Sequence, residues 1–376
     1  MKKLGTLLLA FALAAICIFL LPTEVQAASG TCGENLKWEL DNAGTLTISG
    51  TGEMKNYDES KLPWYSSRDL IKSVVIEEGV TGIGESAFSK CSNLESVTIP
   101  ESVTSIVYGM FSWCTSLTDI TIPESVTSIE TWAFYDCGLT DITIPDGVID
   151  IGNHTFEKCS NLASVTIPDS VTYIGYSAFS SCTSLTQVVI PGSVTDLGDS
   201  AFARCTGLTD VTILDGVTNL AEHGLFYYCT NLANVTIPKS VTKIGRSAFE
   251  LCSNLKNVFY AGASDDWGQI TIGEWNTPLF DATVTFGECK HSYDGGVVTV
   301  EASCKDAGVK TYTCTLCGDS YTEEIEKLTT HSYEEGTCTV CGGSDPDYVP
   351  PTEFSLLAIW EAIVNFFKSI LAYFGL

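Results

Sequence analysis

Phenylalanine returns every 23 residues through the middle of this chain, as Phe88, Phe111, Phe134, Phe156, Phe179, Phe202, Phe226 and Phe249. Cysteine follows three residues later each time: Cys91, Cys114, Cys137, Cys159, Cys182, Cys205, Cys229 and Cys252. A leucine comes next (Leu94, Leu117, Leu139, Leu162, Leu185, Leu208, Leu232, Leu255), then a strand-like triplet such as Val97-Thr98-Ile99. Proline usually ends the triplet, at 100, 123, 145, 168, 191 and 238, with Leu214 standing in once. The spacing departs from 23 only by one residue lost near Gly138 and one gained near Gly224. A unit this short cannot bury its own apolar face, so neighbours must stack to complete a core; the period therefore predicts a solenoid.

The pattern inside one unit predicts its shape. In Leu94-Glu95-Ser96-Val97-Thr98-Ile99-Pro100 the leucine, valine and isoleucine are expected inward and Ser96 and Thr98 outward. Proline stops the strand by removing a ladder donor. Val103 and Ile106 turn the chain back, and the Ser86-Ala87-Phe88 type of segment forms the opposite side. Strands of successive units would lie about 4.8 Å apart. The expected fold is a repeat solenoid with one parallel β-sheet, followed by a small Cys/His-rich β module and a C-terminal helix.

The repeated motif, roughly AFxxCxxLxxVTIPxSVTxIG, resembles the leucine-rich repeat of BspA-type bacterial surface proteins. The flanks resemble that family too. Residues 32–52 (CGENLKWELDNAGTLTISGTG) with Pro63-Trp64-Tyr65 are similar to its N-terminal cap. Residues 258–286, with Tyr260-Ala261-Gly262, Trp267 and Asn276-Thr277-Pro278-Leu279, are similar to its closing segment. The resemblance covers roughly residues 30–286 and places a β-rich cap at 28–72, the leucine-rich-repeat solenoid at 73–260 and an end cap at 261–286. It implies an exported, non-enzymatic binding or adhesion protein; an extracellular protein or glycan is the expected partner, with a structural cell-envelope component, then a secreted hydrolase with an unrecognised site, as the alternatives.

The termini set the expected compartment. Lys2 and Lys3, the apolar run 7–21 and Val25-Gln26-Ala27 read as a secretory signal over 1–27, with an uncleaved anchor as the alternative. Sixteen cysteines include Cys17 in that segment, so its removal leaves an odd number and excludes complete intrachain pairing. The repeat cysteines are expected as a column of core thiols, because stacked parallel side chains poorly satisfy disulfide torsions. At the other end, a linker at 346–353 precedes residues 354–376, whose only charges are Glu361 and Lys368. With Asn365 these form one narrow polar stripe on a helix. That pattern favours membrane-surface attachment or self-association over a membrane span or packing onto the protein itself.

Residues 287–345 carry a second population of cysteines. Cys289, His291, Cys304, Cys314, Cys317, His331, Cys338 and Cys341 include two Cys-x-x-Cys knuckles, at a separation that zinc ribbons use. The segment HSYDGGVVTVEASCKDAGVKTYTCTLCGDSYTEEIEKL resembles a Cys/His module that follows repeats in clostridial-type surface proteins. Two four-ligand sets fit: His291, Cys304, Cys314 and Cys317, then Cys289, His331, Cys338 and Cys341. One ribbon site built from the two knuckles fits equally well. Structural zinc is the first reading, disulfides the second, redox chemistry the third.

Charge and surface columns bound the function. Forty-six acids against 19 bases leave a net charge of −27, which argues against a nucleic-acid partner. No phosphate-cradling glycine loop, nucleophile elbow or HExxH motif is present, so no catalytic residues are assigned. His154 and His223 read as surface substitutions. An acidic column follows the strand end: Glu78, Glu101, Glu124, Asp146, Asp169 and Asp215, interrupted by Gly192 and ended by Lys239. Another polar column includes Asp119 and Asp141. Aromatic residues fill variable positions: Tyr108, Trp113, Trp132 and Tyr135 in the second and third repeats, then Tyr227 and Tyr228. These eight residues, from Tyr108 to Tyr228 with the two aspartates, are the candidate ligand surface, against the alternative of packing between repeats.

Overall fold

The computed structural model of the 376-residue chain describes residues 27–287, 296–300, 302, 307–313, 320–327, 333–334 and 337–338. The expected signal, the apolar C-terminal helix and most of the Cys/His segment lie outside the described residues. Two compact units are present, the first running to about His291.

The first unit is a parallel β-solenoid of about 9 turns of ~23 residues. Every turn but the one containing residues 119–122 contributes a strand of the Val-Thr-Ile type, and Ile106-type positions, expected only as a turn, form a second strand. On that second side Ser105–Ile106, Ser128–Ile129, Asp150–Ile151, Tyr173–Ile174 and Asp196–Leu197 pair in parallel, in register by one repeat. The third side has no regular strand, yet its backbone is bonded from turn to turn. Phe111 N donates to Ala133 O at 2.8 Å, Phe156 N to Ala178 O at 2.7 Å and Phe179 N to Ala201 O at 2.8 Å. The second and third sides thus pass their backbone polar groups to the neighbouring turn, which lets so short a unit pair them.

On the first side the expected single sheet is divided. Thr45–Gly50, Ser73–Ile76 and Ser96–Thr98 run in parallel, then residues 119–122 form no strand. Pairing resumes between Asp141–Thr143 and Ser164–Thr166, and again from Gln187–Ile190 through Asp210–Ile213, Asn234–Ile237 and Asn257–Tyr260 to Thr283–Phe286. The first break lies beside the turn shortened by one residue. There Gly138 passes so close to the previous turn that a Cβ would sit 2.3 Å from the Thr115 carbonyl oxygen. Val97 and Ile99 beside this break are half-buried, whereas Val188 and Ile190 in the continuous sheet are buried.

The motif's invariants are accounted for by what each touches. The eight phenylalanines are buried and stack ring on ring, with centroids 5.1–5.8 Å apart. Each such ring removes enough apolar surface from water to contribute roughly 1.5–3 kcal/mol, plus about 0.5–1.5 kcal/mol for the offset contact. The repeat cysteines are buried free thiols. From Cys114 onward each Sγ donates to the phenylalanine carbonyl of the preceding turn, for example Cys159 to Phe134 O at 3.1 Å and Cys205 to Phe179 O at 3.1 Å. Serines of the Ser-Val pair do the same for a valine carbonyl: Ser125 Oγ donates to Val103 O at 2.7 Å and Ser193 Oγ to Val171 O at 2.8 Å.

Both ends of the solenoid are closed by side chains that imitate a further repeat. At the start, Ala28–Thr31, Leu36–Leu40 and Thr45–Gly50 form an antiparallel sheet whose last strand pairs in parallel with the first repeat. Trp64 lies 6.0 Å from Phe88, extending the ring stack, and its indole Nε1 donates to Ala87 O at 2.8 Å. At the far end buried Asn276 accepts from Phe249 N at 2.9 Å through its Oδ1. Its Nδ2 donates to Gly245 O at 2.9 Å and Gly273 O at 2.8 Å, supplying the bonds a tenth turn would supply.

The second unit contains an antiparallel sheet of Val297–Val300, Gly308–Thr313 and Ser320–Ile325, with Tyr312 stacked on Tyr321 at 4.9 Å. Tyr333–Glu334 also pairs antiparallel with Thr337–Cys338. Among the described residues no helix is long and apolar enough to cross a membrane.

Two stability outcomes are expected. Phe179 has a ring 5.1 Å away on either side, so Phe179→Ala should cost about 3–5 kcal/mol in denaturant unfolding; a loss below about 1 kcal/mol would mean the stack does not hold the turns. Burial pushes the repeat thiols up, those of Cys91, Cys205 and Cys252 to about 12. Above the ordinary thiol range the unfolded chain then binds fewer protons than the folded one, so stability falls as pH rises, by about 1.4 kcal/mol per pH unit for each thiol. The urea midpoint should hold level below about pH 8 and drop steeply as pH rises from the ordinary thiol range near 8.5 toward 12. A midpoint unchanged over that range would refute a core of protonated thiols.

Candidate functional site

The surface of the third side is built by two left-handed residues in each turn. One lies two positions before the phenylalanine and the other two positions after it. The first column holds Ser86, Trp132, His154, Ser177, Ser200 and Ser247, all with positive φ, and glycine at 109 and 224. The second holds Lys90, Trp113, Asp136, Lys158, Ser181, Arg204, Tyr228 and Leu251, again all with positive φ. This alternation points each backbone N–H at the next turn: Trp132 N donates to Asn153 O at 3.0 Å and Trp113 N to Tyr135 O at 2.7 Å. For a non-glycine residue the left-handed region costs roughly 1–2 kcal/mol, so the bulky tryptophans at 113 and 132 carry strain that serine or glycine at equivalent positions reduces or avoids.

That geometry gathers the aromatic candidates of the second and third repeats. Tyr108 lies 5.5 Å from Trp132, Trp113 lies 5.1 Å from Tyr135, and Trp132 lies 6.3 Å from Tyr135. The row continues through residues that composition alone did not single out: Trp132 to His154 at 5.9 Å, and His154 to Tyr176 at 5.0 Å. Tyr108, Trp113, Trp132 and Tyr176 each keep 36–48% of their surface exposed although they touch one another. Cations sit on the rings, Lys90 Nζ 5.3 Å from the Trp113 centroid and Lys158 Nζ 5.0 Å from that of Tyr135. Lys158 also donates to Tyr135 Oη at 2.6 Å, which pushes its ammonium pKa up.

The remaining candidates fall elsewhere. Tyr227 and Tyr228 lie 6.2 Å apart around Arg204, farther along the third side. Asp119 and Asp141 belong to the strand side, where with Thr121, Glu124 and Thr143 they line an open cleft of about 260 Å³ at the break in the sheet. The acidic column is exposed throughout, except for half-buried Gly192. Among the described residues no group of three or more His, Cys, Asp or Glu side chains is arranged to hold a metal ion. His154 Nδ1 meets Glu157 Oε2 at 2.5 Å and His223 Nδ1 meets Asp199 Oδ2 at 3.0 Å. Of the metal-ligand candidates, Cys289, His291, Cys304, Cys314, Cys317, His331 and Cys341 lie outside the described residues, and Cys338 is placed only by its backbone in the strand Thr337–Cys338. Reading the sequence by column would have found His154, Tyr176, Lys158 and Arg204, since each occupies a position equivalent to an aromatic candidate in another turn.

A comparison with curated proteins returned no match. Among solved structures, a leucine-rich repeat protein from Bacteroides ovatus is 25% identical, covering 73% of this chain and 79% of its own, with a TM-score of 0.46. The T. pallidum leucine-rich repeat protein is 25% identical over 69% of this chain and 99% of its own, with a TM-score of 0.38. A leucine-rich cell surface protein from Faecalibacterium prausnitzii is 25% identical over 66% of this chain and 98% of its own, with a TM-score of 0.27. The family description "BspA type Leucine rich repeat region" matches in six copies over residues 64–163 and 127–256, more than half of the chain. With its Phe, Cys and Leu columns, its paired turns and its capped ends, the chain belongs to the BspA-type leucine-rich-repeat proteins.

Proposed function

We propose that this is an exported cell-surface or secreted binding and adhesion protein that recognises an extracellular protein or glycan through the third side of its solenoid. One observation carries the reading: a continuous row of rings from exposed Tyr108 and Trp132 through half-buried His154 to exposed Tyr176, in which Trp132 and His154, like Trp113 beside the row, hold left-handed backbone against their preference. Packing between repeats does not require them, because serine or glycine fills the same column in other turns and the turn-to-turn backbone bonds persist there. Strained, exposed aromatics are better explained by recognition, where large rigid rings contribute contact area at low entropic cost. Export is supported by the N-terminal charged and apolar pattern. The apolar segment 354–376 is proposed to mediate surface attachment or self-association.

Glycan and protein arrays probed with the purified protein test this reading. Trp132→Gly relieves the left-handed strain, so its thermal midpoint should equal or exceed that of the native chain. Its binding should weaken by about 2 kcal/mol, roughly thirty-fold. A variant that binds every array ligand as the native chain does would remove the ring row from the function.

For residues 287–345 we propose structural zinc, on the spacing of the Cys314/Cys317 and Cys338/Cys341 knuckles. Metal analysis of the reduced protein should find one or two zinc ions per chain, and a chelator should unfold the segment. Zinc-free protein under reducing conditions would end that assignment.

A further inference from the structure

Beyond the ring row lies an open groove of about 510 Å³, within the range of ligand pockets. Tyr176 ends the row and also lines the groove, so the two surfaces are continuous. Tyr227 lines it farther along, and Lys158 and Arg204 contribute the two cations.

The charges here run against the rest of the molecule. In a chain of net charge −27, both exposed cations of this groove lack an ion-pair partner among the described residues. Lys90, in the same column, is by contrast paired with Glu59 at 2.9 Å. Lys158 is held by the Tyr135 hydroxyl, and the Arg204 guanidinium lies 5.9 and 5.8 Å from the Tyr227 and Tyr228 rings. Aromatic support positions both groups while leaving them able to donate to an anion. The groove's own carboxylate, Glu157, meets His154 Nδ1 at 2.5 Å, and it and Asp136 act electrostatically on Lys158 without forming an ion pair with it.

The remaining lining is hydroxyl-rich. Half-buried Ser181 and Ser200 line the groove, with the nearly buried Ser177 and Ser180 at its floor and Ala203 the one aliphatic side chain. A peptide side chain seeking an apolar anchor finds little here, whereas a polyhydroxylated ring finds donors and acceptors from the serines and ring faces from the tyrosines.

We propose that this groove is the subsite for a carboxylate-bearing sugar in an acidic polysaccharide, with adjoining sugar rings lying on the Tyr176–His154–Trp132 row. The proposal rests on the binding function assigned to that row and names the ligand class it would take. Lys158 and Arg204 bind the carboxylate, Ser181 and Ser200 bind ring hydroxyls, and Tyr176 and Tyr227 flank the ring.

Titration calorimetry of the purified protein with trigalacturonate, neutral galactotriose and hexaglutamate tests it. Trigalacturonate should bind at least tenfold more tightly than galactotriose and weaken when sodium chloride is raised. Lys158→Met with Arg204→Met should lower trigalacturonate affinity tenfold or more and abolish its preference over galactotriose. Both side chains are exposed, and an unchanged thermal midpoint confirms folding of the double variant. Equal affinity for the acidic and neutral sugars, or acidic-sugar binding indifferent to the double substitution, overturns the proposal, as does no binding of trigalacturonate. Tighter binding of hexaglutamate than of trigalacturonate overturns it in favour of an acidic protein partner. An array ligand that depends on Trp132 but not on Lys158 and Arg204 leaves the ring row as the binding surface and removes only the acidic-sugar subsite.

Discussion

Stacking of one phenylalanine per turn, locked by backbone bonds between the same turns, is the contact on which the rest of the solenoid depends. Phe88 to Phe249 form an unbroken column of rings, and the backbone N–H groups of its members from Phe88 to Phe226 donate to the following turn. The phenylalanine carbonyl also takes the thiol of the next turn's cysteine, so a single residue ties three partners along the axis. Cysteine suits the neighbouring column because it is small enough for the core and still carries a weak donor. Alanine would fill the volume less well and leave a buried carbonyl without that partner.

A stack of this kind is nearly one-dimensional, and its weak points are the two ends. The protein spends individual polar side chains there. Trp64 adds a ring to the stack and a donor for the first repeat's carbonyl, while Asn276 supplies the acceptor and donors of a missing turn. Both are almost wholly buried, which is unusual for an asparagine and is explained by its three bonds to backbone.

The division of labour within each turn separates stability from recognition. Inward columns hold Phe, Cys, Leu, Val and Ile almost without variation, because a change of one methylene is felt in a packed stack. The two left-handed columns on the third side tolerate anything from glycine to tryptophan, since their backbone bonds do not involve the side chain. Variation there costs strain and no core packing, and it is there that rings and unpaired cations accumulate.

The turn length, the inward residues, the thiol column and the family could be read from the chain, because burial repeats with the period of the turn and each turn repeats the same local physics. The sequence alone makes His154 a surface substitution, and only stacking puts it between Trp132 and Tyr176. The single expected sheet divides at residues 119–122 beside the shortened turn at Gly138, a matter of strand spacing that residue types do not encode. Lys158 and Arg204 stand two turns apart in sequence, and they line one groove because successive turns lie only about 4.8 Å apart along a sheet. The repeat, its core and its family follow from the residue pattern alone. Which surface residues become neighbours depends on the axial stacking of turns, which no single turn's pattern contains.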